Sequence, residues 1–91
     1  SGQEDVARQL YAQAAQHEEQ TLFDLQELDR PRTTGIIGVS ACSLYVHAAM
    51  YDKATSLALR LLGERQITTH ARMQLQALLR GNVYHRSSIR L

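Results

Sequence analysis

The sequence predicts an all-α fold of about five helices, stacked as helix pairs. The strongest indication is a repeat with a period of 34 residues, since Leu10-Tyr11 returns as Leu44-Tyr45 and Ala14-Ala15 returns as Ala48-Ala49. A period of this length is typical of helix–turn–helix units that bury their apolar faces only against neighbouring units. Apolar residues also follow helical spacing, and 91 residues with 44% apolar content and one proline suit a single small helical domain.

Two helices are predicted before the only proline. Ser1 and Glu4 have the spacing of a capping box, which predicts a first helix that reaches about Gln16. A second helix is predicted over 18–28, with acidic residues in its first turn and leucines on its inner face. Pro31 should end it, because proline cannot continue a helix without losing a backbone hydrogen bond.

The next two helices are predicted from caps and from apolar spacing. Thr33 or Thr34 is expected to cap a third helix that runs to about Ala49. Asp52 is expected to cap a fourth, which ends at Gly63.

A fifth helix is predicted with Thr68 or Thr69 as its cap. It should reach about Arg80 and stop before Gly81. The residues after Gly81 would then begin the second helix of a third repeat.

The stretch from Gly38 to Leu61 resembles the tetratricopeptide repeat. Tyr45 stands where that motif has its first-helix tyrosine, "YDKA" at 51–54 matches the start of its second helix, and Cys42 takes its small-residue position. The resemblance implies antiparallel helix pairs in a right-handed superhelix, as one domain over 1–91 with repeats of about 1–34, 35–68 and a partial 69–91. It also implies a set of repeat-packing residues: Tyr11, Cys42, Tyr45, Ala54 and Leu61.

The chain departs from the motif in places. Gly38 replaces a large aromatic residue, so that contact is expected to be missing. Gln20 replaces the alanine at the helix crossing of the first repeat, which therefore counts as degenerate.

The resemblance further implies a concave groove lined by the first helix of each pair. Such a groove suits an extended or helical peptide with apolar anchors. The lining positions carried over from the family are Asp5, Gln9, Ala12, Gln13, Ile36, Val39, Ser43, Val46, His47, His70, Met73, Ala77 and Arg80.

The predicted fifth helix carries an apolar stripe that predicts self-association. Burying such a stripe against another copy removes large side chains from water. Either a second chain covers it, giving a homo-oligomer, or the array continues. The expected oligomer-interface residues are Leu75, Leu78 and Leu79.

No pattern typical of catalysis or metal binding is present. Cys42 and His47 are five residues apart, about 140° around a helix, so they cannot pair as nucleophile and base. Ser43 and His47 share a face, but no acid in that helix could orient the imidazole. The four histidines lack metal-site spacing. We therefore expect no enzyme, no metal and no cofactor.

Charge is divided along the chain although the net charge is only +1. The first 30 residues hold seven acidic residues against two arginines, whereas five arginines and no acid follow Glu64. This division suits head-to-tail contact between copies or an acidic partner, and it is weaker than the basic patch of a nucleic-acid-binding protein. The absence of a long apolar run and the single cysteine predict a cytoplasmic protein that does not enter membranes.

Taken together, the sequence favours a non-enzymatic protein–protein interaction module, or scaffold, that binds a peptide segment or a second copy of itself. An accessory or regulatory domain of a larger enzyme is one alternative. A nucleic-acid adaptor that uses the C-terminal arginines is another.

Overall fold

The computed structural model describes residues 2–28, 30–64 and 67–90, with 82–90 as helix backbone only. Within these ranges the chain forms four α-helices and no strand: α1 (Gly2–Gln26), α2 (Pro31–His47), α3 (Tyr51–Leu62) and α4 (Thr69–Arg90). The all-α prediction is therefore confirmed. The described part contains four helices and not the expected five.

The difference arises in α1, which is one continuous helix where two were predicted. No glycine or proline lies between Gln3 and Arg30, and the residues around position 17 are good helix formers. Thr21 donates its hydroxyl to the carbonyl oxygen of His17 at 3.0 Å, a bond that fits an unbroken helix across the expected turn. Ser1, the expected first cap, lies outside the described residues.

Two of the expected caps lie inside helices. α2 begins at Pro31, the favoured place for a proline in a first turn, so Thr33 and Thr34 are already helical. α3 begins at Tyr51, one residue before Asp52, and neither N-cap residue makes a side-chain capping bond. Gly63 does cap the end of α3, as predicted.

Thr68 caps α4, because its Oγ1 accepts a hydrogen bond from the backbone N–H of Ala71 at 3.2 Å. The predicted stop at Arg80 is wrong, since α4 continues through Gly81 to Arg90. A glycine inside a helix costs only about 1 kcal/mol relative to alanine and does not by itself end the helix. The turn that would start a second helix of a third repeat is therefore absent.

The central helix is α2, which packs against α1, α3 and α4, while α3 also packs on α4. The core residues are almost all small or aliphatic, and α1 contributes only two of them. They are Ala15, Leu22, Ala41, Cys42, Tyr45, Ala54, Leu57, Ala58, Leu61 and Leu75.

Two glycines on α2 allow this close packing. A Cβ at Gly35 would lie 2.9 Å from the Cβ of Ala71 on α4, and one at Gly38 would lie 2.7 Å from Cδ1 of Leu61 on α3. Both distances are shorter than carbon atoms tolerate. The resemblance implied that a packing contact is missing at Gly38. That expectation is wrong, because the Leu61 side chain fills the space above Gly38.

The α2–α3 turn ends α2 with a Schellman motif. Met50 N–H donates to the carbonyl oxygen of Tyr45 at 2.8 Å, and Ala49 N–H donates to that of Val46 at 2.9 Å. Ala49 has φ 61°, a left-handed conformation in which a Cβ is strained. Glycine is the usual residue at this position.

We expect Gly35→Ala to destabilise the protein by about 1 kcal/mol net. The helix-propensity gain of about 1 kcal/mol is outweighed by overpacking of about 1–3 kcal/mol, since the clashing Ala71 Cβ cannot move without moving α4. Urea unfolding measures the change. Gly81→Ala is the control, because Gly81 has open space around it and should gain stability. Equal gains in both variants would contradict the close approach of α2 and α4.

Ala49→Gly should stabilise the protein by about 1 kcal/mol, because it relieves the left-handed strain at φ 61°. The matched control is Ala77→Gly at an exposed site inside α4, which should cost about 1 kcal/mol. Thermal unfolding of both variants compares the signs. A loss of stability in both would show that Ala49 is ordinary helical alanine.

Candidate functional site

An open groove of about 630 Å³ runs between α2 and α4. Ile36 and Val39 from α2 supply apolar surface, and Ile36 is 61% exposed, whereas Ala71 from α4 borders the groove but is only 3% exposed. The remaining lining side chains are polar or basic. They are Arg32, Ser40, Thr68, His70 and Gln74. We call this feature the α2–α4 groove.

The groove includes three of the residues carried over from the family: Ile36, Val39 and His70. Sequence reasoning missed Arg32 and Ser40, although both lie four residues from Ile36 on the same helical face. It also missed Thr68 and Gln74, because the packing of α4 against α2 places them.

Other expected groove residues lie elsewhere. Asp5, Gln9 and Gln13 are exposed on α1, which does not line the α2–α4 groove. His47, at the end of α2, lies against Tyr11, with 5.2 Å between ring centroids. Met73 and Arg80 are exposed outside the groove lining, and so is Ala77, whereas Ala12, Ser43 and Val46 are half-buried.

The repeat-packing residues are placed mostly in the core. Cys42, Tyr45, Ala54 and Leu61 are all buried. Tyr11 is largely exposed, because the unbroken α1 takes it away from a second helix of its own repeat.

The expected oligomer interface needs a correction. Leu75 is fully buried within the chain, and Leu78 and Leu79 are half-buried against the same core. The apolar stripe of α4 is covered by α2 and α3, since Gly35 lets Ala71 approach closely. Leu75 therefore offers no surface to a second copy.

The two helices that form the α2–α4 groove carry no aspartate or glutamate along their whole lengths. Arg32 provides a positive charge in the groove lining, which also includes His70. In contrast, α1 holds five carboxylates: Glu4, Asp5, Glu18, Glu19 and Asp24. The described lining of the groove therefore carries positive charge and no negative charge.

A smaller cavity of about 210 Å³ lies where the end of α1 meets the start of α2 and the α3–α4 connection. Leu61, Ile67 and Leu75 form its apolar wall. Gln26 Nε2 donates a hydrogen bond to Glu64 Oε1 at 3.1 Å, and both residues line the cavity. This bond ties α1 to the α3–α4 connection.

Tyr45 carries the main buried polar group of the core. Its hydroxyl donates a 2.5 Å hydrogen bond to Glu19 Oε1 on α1, although the residue is only 1% exposed. Burial, the Glu19 hydrogen bond and the nearby Glu19 and Cys42 charges raise the pKa of Tyr45 well above its ordinary value. The phenol therefore stays protonated and keeps donating to Glu19.

Cys42 does not offer a reactive thiol. Burial, with a smaller effect of the Glu19 charge, raises the pKa of the Cys42 thiol to about 12. At neutral pH the thiol is protonated and out of reach of solvent. Among the residues described, no three His, Cys, Asp or Glu side chains are grouped to hold a metal ion.

We expect Tyr45→Phe to destabilise the protein by about 1–3 kcal/mol at neutral pH, because it leaves the part-buried Glu19 carboxylate without its donor. The raised pKa values of Tyr45 and Cys42 also predict a pH dependence. Their contribution is complete below the ordinary values of 9.0 for Cys42 and 10.0 for Tyr45, and it is lost as pH rises further.

Urea unfolding between about pH 7 and pH 11 measures this dependence. The decline of stability above about pH 10 should be shallower in Tyr45→Phe than in the parent. Tyr51→Phe is the control, since Tyr51 lies outside this core cluster. An identical decline in the parent and Tyr45→Phe would contradict the buried phenol–carboxylate pair.

Within the described part of the chain, no helix is both long and apolar enough to cross a bilayer. Comparison of the chain with protein-family models, with curated proteins and with solved structures finds no match.

Proposed function

We propose that this chain is a non-enzymatic protein-interaction domain whose α2–α4 groove binds a segment of a protein chain. The observation that carries the proposal is an apolar residue, Ile36, left 61% exposed inside a groove between two helices without carboxylates. Exposed apolar surface rimmed by polar groups is typical of interaction sites. Grooves between helices accept peptide segments through apolar anchors.

The chemistry of the groove specifies the kind of segment. Ile36 and Val39 provide a site for an aliphatic or aromatic anchor. Arg32 favours a carboxylate beside that anchor, and guanidinium–carboxylate pairs can be bidentate. The preferred ligand is therefore a short acidic segment with apolar side chains on one face.

We further propose that α2 and α3 form a tetratricopeptide-like helix pair, which α4 extends as the first helix of a next repeat. A three-residue connection joins α2 to α3, as in an antiparallel helix pair. Burial of Tyr45, Cys42 and Ala54 in the α2–α3 core supports this proposal. The unbroken α1 departs from it.

The alternative of a nucleic-acid adaptor has less support. Arg72 Nη1 donates to the carbonyl oxygen of Leu62 at 3.4 Å, so this guanidinium is engaged within the chain. Binding through the other arginines would fall steeply with salt. The alternative of a domain that regulates a larger enzyme uses the same groove and differs only in the partner.

Selection of peptides from a random display library against the full chain tests the proposal. Enriched peptides should combine apolar anchors with aspartate or glutamate, and their amide NMR shifts should map to residues 32–40 and 68–74. Ile36→Glu should weaken binding at least about tenfold, because it places a charge where the anchor packs.

Leu59→Glu is the matched control, because Leu59 is similarly exposed on α3 and lies outside the groove. It should leave peptide binding unchanged. Failure to enrich any sequence, or equal loss in both variants, would overturn the proposed function.

A further inference from the structure

The cavity of about 210 Å³ at the end of α1 connects the surface of the molecule with its core. Of the residues that line it, Arg30 and Glu64 are exposed, whereas Leu61 and Leu75 are 2% and 0% exposed. A recess whose wall includes such deeply buried side chains extends inward from the surface. We call this feature the α1-end cavity.

Three parts of the chain enclose the α1-end cavity, and hydrogen bonds hold them in place. The bond from Gln26 Nε2 to Glu64 Oε1 joins the end of α1 to the α3–α4 connection. The backbone N–H of Thr34 donates to the carbonyl oxygen of Arg30 at 2.9 Å, which fixes the first turn of α2. The cavity is therefore formed before a ligand arrives, and binding need not order its walls.

The volume of the cavity sets the size of its ligand. An apolar protein cavity of about 150 Å³ holds benzene. In proportion, 210 Å³ accommodates about eight or nine heavy atoms. Leu61, Ile67 and Leu75 form an aliphatic wall, against which a flat apolar ring can pack. A rigid ring also loses less conformational freedom on binding than a flexible chain does.

The polar residues of the lining determine which functional group the ligand carries. Gln26 donates its amide N–H to Glu64, so the amide oxygen of Gln26 and the carboxylate of Glu64 can both accept a hydrogen bond from a ligand. Arg30 and Glu64 carry opposite charges, so the described lining has no net charge that would select an ion. The lining therefore favours a neutral ligand with a hydrogen-bond donor.

We propose that the α1-end cavity binds a small neutral aromatic molecule of about eight or nine heavy atoms that carries an O–H or N–H donor, as phenols and indoles do. The ring packs against Leu61, Ile67 and Leu75, and the donor bonds to Glu64 or Gln26. Displacement of water from the apolar wall by the ring favours binding. This site is independent of the proposed function, because none of its described lining residues lines the α2–α4 groove.

Titration of the isotope-labelled full chain with indole, followed by NMR, tests the proposal. The amide shifts of Thr34, Gly35 and Glu64 should change and saturate, with a dissociation constant on the order of 1 mM or tighter. Benzofuran has the shape of indole but no N–H donor. It should therefore bind about threefold to tenfold more weakly than indole.

Two threonines on α2 provide a matched pair of variants. Thr34→Leu should weaken indole binding at least about tenfold, because the larger side chain occupies part of the cavity. Thr33→Leu makes the same change at an exposed position outside the cavity lining, so it should bind indole like the parent. Circular dichroism checks the folding of both. Ile67→Phe narrows the cavity from the α3–α4 connection and is a second test of the same loss.

The outcomes separate this inference from the proposed function. Absence of a saturable shift up to about 10 mM indole would overturn it, as would equal affinities in Thr34→Leu and Thr33→Leu. Equal binding of benzofuran and indole would refute the assigned donor and with it the ligand class. Ile36→Glu should bind indole like the parent, since Ile36 lines only the groove. Loss of indole binding in that variant would show that indole binds in the groove and would likewise overturn the inference.

Discussion

The arrangement of the helices depends on the missing side chains at Gly35 and Gly38. A single methyl group at Gly35 would meet Ala71, and one at Gly38 would meet Leu61. Because α2 has no side chains there, α4 and α3 approach it closely enough to bury Leu61 and Leu75 completely or nearly so. The α2–α4 groove is a consequence, since it opens beside the line along which α4 meets Gly35.

Polar contacts help to attach α1 to the other helices. Ala15 and Leu22 are the two residues of α1 that are fully buried. The buried Tyr45 hydroxyl bonds to Glu19, and Arg60 lies over the Phe23 ring at 4.3 Å from its centroid. A hydrogen bond to a charged group contributes about 1.5–3 kcal/mol, so Glu19 is an important anchor of α1.

The same geometry connects the fold to recognition. A straight α1 uses its C-terminal half to pack on α2 and leaves its N-terminal half in solvent with Val6 and Leu10 exposed. The second exposed apolar surface is the α2–α4 groove, where Ile36 lies among residues that carry no negative charge.

The sequence alone determined the all-α class, the α2–α3 helix pair and much of the core. These features depend on local signals, namely helical apolar spacing, Gly63 after α3, and Thr68 before α4. The core positions Tyr45, Cys42 and Ala54 were expected from the resemblance to the tetratricopeptide repeat, and all three are buried. Ile36 and Val39 were also carried over from the family's lining positions, and both line the α2–α4 groove.

Only the tertiary structure decided the rest. Whether the chain turns near residue 17 or at Gly81 depends on the free energy gained by packing a returning helix, and local propensities permit both outcomes. The role of Gly38 was invisible in the sequence because the Leu61 side chain that fills its place comes from another helix. Leu75 is likewise a core residue and not an interface residue. It is buried because α4 packs closely on α2 at Gly35, which has no side chain to clash with Ala71.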